Sequence, residues 1–190
     1  KKVWFVNGNS TDPMTYYCYK DLATGGEGTV TMTGGITWVR SYDSIEYSPG
    51  YDCLIHVTTW YGGPPSTVDI LVIDLATNTA YRPTKIGTPP DPPNSISAAC
   101  WSETWNSVAY LQGNGENKVW FCKPTGNPRT AAWQWTSQTI RGSILPVQGY
   151  PTPGGNPGFN RVRHVTSLGN TLIWCADARY PVQLIGVTPP

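Results

Sequence analysis

His56 and His164 are the two histidines of the chain, and histidine is the side chain best suited to proton transfer near neutral pH. They head similar runs, His56-Val57-Thr58-Thr59-Trp60 and His164-Val165-Thr166-Ser167-Leu168, 108 residues apart. Recurrence at one place in a repeated strand points to a structural role, hydrogen-bonded against a neighbouring element, rather than to a general base or a metal ligand. Asp69 and Asp74 lie on or beside one strand-like run and read as solvated strand ends or turn caps. Ser107 lacks the G-x-S-x-G context of a nucleophile elbow. No Walker-type or dinucleotide loop occurs, and Gly113-Asn114-Gly115 is a turn. The cysteines, Cys18, Cys53, Cys100, Cys122 and Cys175, form no C-x-x-C pair and so give no zinc pattern. Their odd number leaves at least one unpaired within the chain. Each lies in an apolar run as a small buried hydrophobe, with one or two disulfides in an exported protein as the alternative. The expectation is a protein that is not an enzyme, with no metal and no cofactor.

The aromatic residues offer a different chemistry. Aromatics make up 12 % of the chain and charged residues only 13 %, with 9 tryptophans. A flat ring can stack on the apolar C–H face of a sugar, while Arg, Glu, Gln and Asn satisfy its hydroxyls. Trp101, Trp105, Trp120, Trp133, Trp135 and Trp174 lie on or beside strand-like runs, joined by Tyr17, Tyr19 and Tyr110. The candidates for a glycan site are Trp101, Trp105, Trp120 and Trp135, with Gln112 and Arg141 as polar partners. The competing reading of each tryptophan is packing between sheets.

These residues must be carried by strands. Gly (20) and Pro (18) punctuate many short apolar runs, and no ten-residue window has helical spacing with a cap. Residues 107–122 (SVAYLQGNGENKVWFC) read as a hairpin: two β-branched and aromatic runs flank a polar, Gly-rich connection. The predicted strands fall in four groups, over residues 1–50, 51–93, 94–148 and 159–190 of a single all-β domain. The first holds 2–6, 15–20, 29–33 and 36–40. The second holds 53–60, 68–75 and a weak 79–82. The third holds 96–101, the hairpin and 131–138. The fourth holds 162–168, 171–176 and 182–187. Residues 149–158 (GYPTPGGNPG) read as an exposed loop.

The groups repeat. Leading strands at Cys53 and Ser95 begin 42 residues apart, and the phrases KVWFVNGNSTDP, VDILVIDLATNT and SVAYLQGNGENK follow in parallel places. Strand groups recurring at roughly 40–50 residues are the mark of β-propeller blades. The predicted fold is therefore all-β and propeller-like with about four strand groups, a β-sandwich being the alternative. The first group starts in mid-blade and the last lacks its outer strand. Such edges invite pairing, so self-association through the terminal blades is expected.

Ile96-Ser97-Ala98-Ala99-Cys100-Trp101, then Ser107-Val108-Ala109-Tyr110-Leu111-Gln112, then Ala132-Trp133-Gln134-Trp135 resembles the blade pattern of the fungal fucose-binding lectins of the six-bladed Aleuria type. Lys2–Val6 followed by Tyr16-Tyr17-Cys18-Tyr19 is similar again. The resemblance implies a propeller and a carbohydrate ligand. In that family an Arg on the second strand and a Glu on the third hold the sugar. Here the Arg position holds Lys2, Asp69, Ser107 and Thr171, and the Glu position falls on Tyr16 or Phe121. The resemblance thus carries the architecture without the fucose site.

A net charge of +1 with no Lys/Arg cluster disfavours nucleic acid. No stretch approaches the ~20 apolar residues of a membrane span. The sequence opens at Lys1 without a signal-peptide core, as a mature secreted protein or a piece of a longer one would. Asn9-Ser10-Thr11 is a glycosylation sequon, with Asn9 the acceptor. The expected location is extracellular. The expected function is carbohydrate recognition, with a structural or assembly subunit of an extracellular fibre or viral particle as the alternative.

Overall fold

Strand 68–74 (VDILVID) is buried on both faces, which requires a sheet covered on each side. The computed structural model supplies that arrangement. It describes residues 2–6, 17–30, 33, 44–59, 68–90, 97–112, 117–140, 161–175 and 182–188. Among these the chain is all-β, with four sheets and one 3-10 turn at Thr166–Leu168.

The first sheet is the meander β1 (Lys2–Val6), β2 (Tyr17–Asp21), β3 (Glu27–Val30). The second is β4 (Ser44–Ser48), β5 (Cys53–Thr59), β6 (Val68–Asp74), β7 (Thr79–Tyr81). After β8 (Lys85–Ile86), the third is β9 (Ser97–Ser102), β10 (Ser107–Gln112), β11 (Lys118–Pro124), β12 (Trp133–Thr139). The fourth is β13 (Arg161–His164), β14 (Thr171–Cys175), β15 (Gln183–Gly186). Residues 107–122 do form a hairpin, with Val108 opposite Cys122 and Leu111 opposite Val119.

Two local devices recur. Asp52 and Asn106, 54 residues apart, both adopt the left-handed conformation (φ 48° and 50°) in the turn between the first two strands of their sheets. Asp and Asn tolerate that conformation because their short side chains bond locally. The sequence Asp-Leu-Ala-Thr occurs at 21–24 and 74–77, 53 residues apart. In each copy the Asp carboxylate accepts the N–H two residues on, from Ala23 and Ala76. Lys2 stands opposite Asp21 and Cys53 opposite Asp74. By this register β1 corresponds to β5, the second strand of its sheet, and β2 to β6.

The connections repeat as well. Thr33, beyond β3, bridges in parallel to Thr79 at the outer edge of the second sheet. β8, beyond β7, pairs in parallel with β12 at the outer edge of the third. Gly87 (φ 81°) ends that clasp, and a Cβ there would lie 2.7 Å from the Trp135 carbonyl oxygen. Both outer edges are thereby covered.

The sheets pack in series. Tyr17 on β2 packs with Leu54, Leu71, Ile73 and Ala80 of the second sheet. The other face of the second sheet, Cys53, Ile55, Val57, Ile70 and Val72, meets Val108, Tyr110, Cys122, Trp133 and Trp135 of the third. The far face of the third, Ala109, Leu111, Val119 and Phe121, meets Val162, Leu172, Trp174 and Ile185 of the fourth. On one side the leading strands β4, β9 and β13 adjoin in order. Ser44 Oγ donates to the Ala99 carbonyl, and Glu46 pairs with Arg163 between β4 and β13. No closed ring is seen among the described residues.

Several expectations are corrected. β4 was not foreseen, so the boundary at 50/51 cuts the second sheet inside its first hairpin. Ser44–Ser48 carries only Ile45 and Tyr47 as apolar residues, too few to mark a strand. The repeat is 53–54 residues, not 42, because the leading strand pairs are β4 and β9. VDILVID is a third strand and does not correspond to β1 and β10. Its place is taken by Cys53, so Asp69 is not equivalent to Lys2, Ser107 and Thr171. The predicted strand at 36–40, the loop at 149–158 and the sequon at Asn9 lie outside the described residues.

Candidate functional site

His56 and His164 do not occupy the same strand position: His56 is central on β5, and His164 ends β13. Each nonetheless bonds to the preceding sheet. His56 Nδ1 meets the Tyr17 hydroxyl of the first sheet, with the ring edge-on to Tyr17. His164 Nδ1 lies 2.7 Å from Ser102 Oγ of the third sheet, and Nε2 lies 2.9 Å from the Gly169 carbonyl oxygen. A carbonyl only accepts, so Nε2 carries a proton, and in the neutral ring the Ser102 hydroxyl donates to Nδ1. Ser102 Oγ also accepts the Trp105 N–H, and the Trp105 ring stacks on His164 at 3.8 Å. Ser102 is 2 % exposed, so this serine–histidine pair fastens two sheets and offers no accessible nucleophile.

The tryptophan candidates are dispersed. Trp105 is buried between the third and fourth sheets, edge-on to Phe121. Trp135 is buried on the opposite face, edge-on to Tyr110. Both rings are enclosed by protein, as packing between sheets requires. Trp120 is half-buried opposite Tyr110, with Lys118 Nζ 5.5 Å from its ring centre. The Gln112 backbone pairs with Ser97 at the end of β10, and its side chain lies outside the described residues, as does Arg141. Cys53, Cys100 and Cys122 are buried free thiols, and Cys18 is half-buried. Burial pushes Cys53 up to about 11 and Cys100 to about 12, and raises Cys122 as well. These thiols are unreactive fillers.

Trp101 is one of the buried residues between the second and third sheets. The residue is 9 % exposed, and its ring lies between Tyr51 at 6.2 Å and Trp133 at 6.0 Å, so an aromatic row runs from the buried Trp133 to the half-buried Tyr51. Tyr51, half-buried, sits in the left-handed turn between β4 and β5. The Trp101 Nε1–H donates to Glu103 Oε1 at 2.7 Å, and Glu103 is exposed beside Gly50 of that same turn. Opposite, Arg129 in the β11–β12 turn donates from Nε to Asp74 Oδ2 (2.9 Å) and from Nη2 to the carbonyls of Tyr51 (2.8 Å) and Asp52 (3.3 Å). Asp52 accepts the Tyr47 hydroxyl at 2.8 Å, an interaction that raises the Tyr47 pKa.

Burial alone would raise the Asp74 pKa, but the Ala76 N–H and the Arg129 guanidinium outweigh it and hold the carboxyl below its ordinary value. This margin thus brings the half-buried Tyr51 ring together with the exposed Glu103 and Asp52 side chains and a guanidinium bonded within the fold. Carboxylates accept from hydroxyls and an aromatic ring shields C–H groups, which is chemistry suited to a polyhydroxylated ligand. Tyr51, Glu103 and Arg129 were missed because they stand in turns. The 54-residue recurrence of the turn ending at Asp52 and Asn106 is the sequence signal that marks two of them.

Among the described residues, no cluster of His, Cys, Asp and Glu is arranged to hold a metal, and no helix is long and apolar enough to cross a membrane. No protein-family model matches the chain, and no curated protein or solved structure is significantly similar to it.

Proposed function

We propose that the chain is a non-catalytic, lectin-like recognition protein whose four sheets are the blades of a β-propeller-like arc, and that its ligand is an extracellular carbohydrate. The observation that carries this reading is the margin between the second and third sheets, where the half-buried Tyr51 stands near the exposed Glu103 carboxylate, which accepts the Trp101 indole N–H. The serial face packing and the adjoining leading strands support the blade reading. The resemblance to the Aleuria-type lectins supports it at the level of blade pattern. The position that carries Arg in that family falls on Lys2, Cys53, Ser107 and Thr171 by strand register, so the sugar is held by other groups.

A glycan array probed with the wild-type chain tests this. Binding to one or more glycans is expected, with loss of at least tenfold affinity in Tyr51→Ala and Glu103→Gln while their melting temperatures stay close to wild type. An array with no binder, or binding that both variants leave unchanged, overturns the proposal.

A further inference from the structure

Each sheet has a face toward its predecessor and a face toward its successor, and the same repeat positions supply them. Toward the predecessor, the residue after the first position of the second strand is Val3, Leu54, Val108 or Leu172. Leu54, Val108 and Leu172 are 2 %, 0 % and 0 % exposed, whereas Val3 is 48 % exposed. Toward the successor, the cross-strand pairs are Trp4–Tyr19, Ile55–Val72, Ala109–Phe121 and Ile173–Leu184. Val72 and Phe121 are 0 % and 2 % exposed, whereas Leu184 is 66 % exposed and Val182 beside it 57 %. Among the described residues the stack therefore ends in two unlike exposed faces, an apolar one and one on which Val3 stands beside the Lys20–Glu27 pair. One, on β14 and β15, is of the kind that covers a following sheet. The other, on β1 and β2, is of the kind that is covered by a preceding one.

We infer that these faces join copies of this chain head to tail: the Ile173, Val182 and Leu184 face of one copy packs on the Val3 face of the next, continuing the interface already repeated three times within the chain. The occupant is a second copy because the two faces are complementary halves of one repeated junction. Leu184 corresponds to the Val72 that meets the third sheet, and Val3 to the Val108 that meets the second. A two-fold arrangement would instead place like face on like face, which no junction in the molecule does. The contact is heterologous and propagates through successive copies. Lys20, directly opposite Val3, and Glu27, opposite Lys20, lie on the Val3 face and pair at 2.9 Å, so that face is mixed, apolar at Val3 and charged beside it. The inference does not rest on the carbohydrate reading: an assembly that binds no sugar satisfies it, and a monomer that binds sugar overturns it.

The test is the solution mass of the full chain by light scattering, alone and as mixed variants. The wild type is expected above its single-chain mass of 20.8 kDa. Val3→Asp and Leu184→Asp, both at exposed positions, are each expected to run as monomers with unchanged melting temperatures. Mixed in equal amounts they should form a heterodimer and nothing larger, because one intact face remains on each. A wild type that stays monomeric at its highest soluble concentration sinks the inference without reference to any variant. So do an assembly that both variants leave intact and a mixture that stays monomeric. If an Asp variant fails to fold, Val3→Ser and Leu184→Ser supply the same mixing test.

Discussion

Across one face of the third sheet, Arg129 reaches over to Asp74 and to the Tyr51 and Asp52 carbonyls of the second sheet. Across the other, Ser102 meets His164 of the fourth with no carboxylate in the contact. The apolar layers beneath are alike in kind, so the junctions differ mainly in how their polar margins are tied. A charged tie responds to acid and to loss of either partner. A neutral tie costs a buried hydrogen bond when cut. The molecule thus carries its own control, because the same sheet supplies one partner to each junction.

The largest effect should come from the apolar layer. Trp133 is fully buried at the second–third junction and donates its indole N–H to the Pro128 carbonyl. Trp133→Ala should cost about 3–5 kcal/mol, read as a lower denaturant midpoint. A cost of under about 1 kcal/mol would mean that the junction repacks freely, contrary to the dense interior expected.

Next comes the charged tie. Arg129→Ala leaves Asp74, a largely buried carboxylate, without its guanidinium, and should cost about 2–3 kcal/mol at pH 7. Asp74 has its pKa lowered in the fold. As pH falls, the unfolded chain therefore takes up this proton before the folded chain does. The stabilisation is complete above about pH 4, the ordinary carboxylate range, and fades as pH falls through the folded value. Wild type and Arg129→Ala should thus differ most near neutrality and converge in acid. Parallel stability curves down to pH 2.5 would show that Asp74 is not the partner that matters.

The strands around which this comparison turns were largely legible in the sequence. β1, β5, β6, β10, β11 and β14 match their predicted runs to within two residues, because buried strands of Val, Ile, Leu and aromatics leave continuous apolar runs between turn residues. β4 and β8 were not legible. β4 is mostly polar, with Ser44 and Ser48 satisfied or buried by tertiary contacts, and β8 is two residues long. The histidines were read correctly as inter-sheet hydrogen-bonding residues but wrongly as equivalents, since His-Val-Thr matched by type across different strands. The site was the least legible. Trp101 was among its named residues, but Arg129 acts from a turn on groups 55 and 78 residues away in sequence, and no local pattern encodes such a meeting.

The neutral tie should show the smallest effect. Ser102→Ala removes the hydroxyl that donates to His164 Nδ1 and accepts the Trp105 N–H. The buried Trp105 N–H and the half-buried His164 ring lose one group, at a cost of about 1–2 kcal/mol. His164 keeps its Nε2–H bond to Gly169 and its stack on Trp105, so the ring should hold its place. The double variant Ser102→Ala/Arg129→Ala then sharpens the comparison. Ser102 and Arg129 serve opposite faces of one sheet and share no partner, so their costs should add to within about 0.5 kcal/mol. A larger coupling would mean that the third sheet shifts as a body when either margin is cut, and that the two junctions are one mechanical unit rather than two.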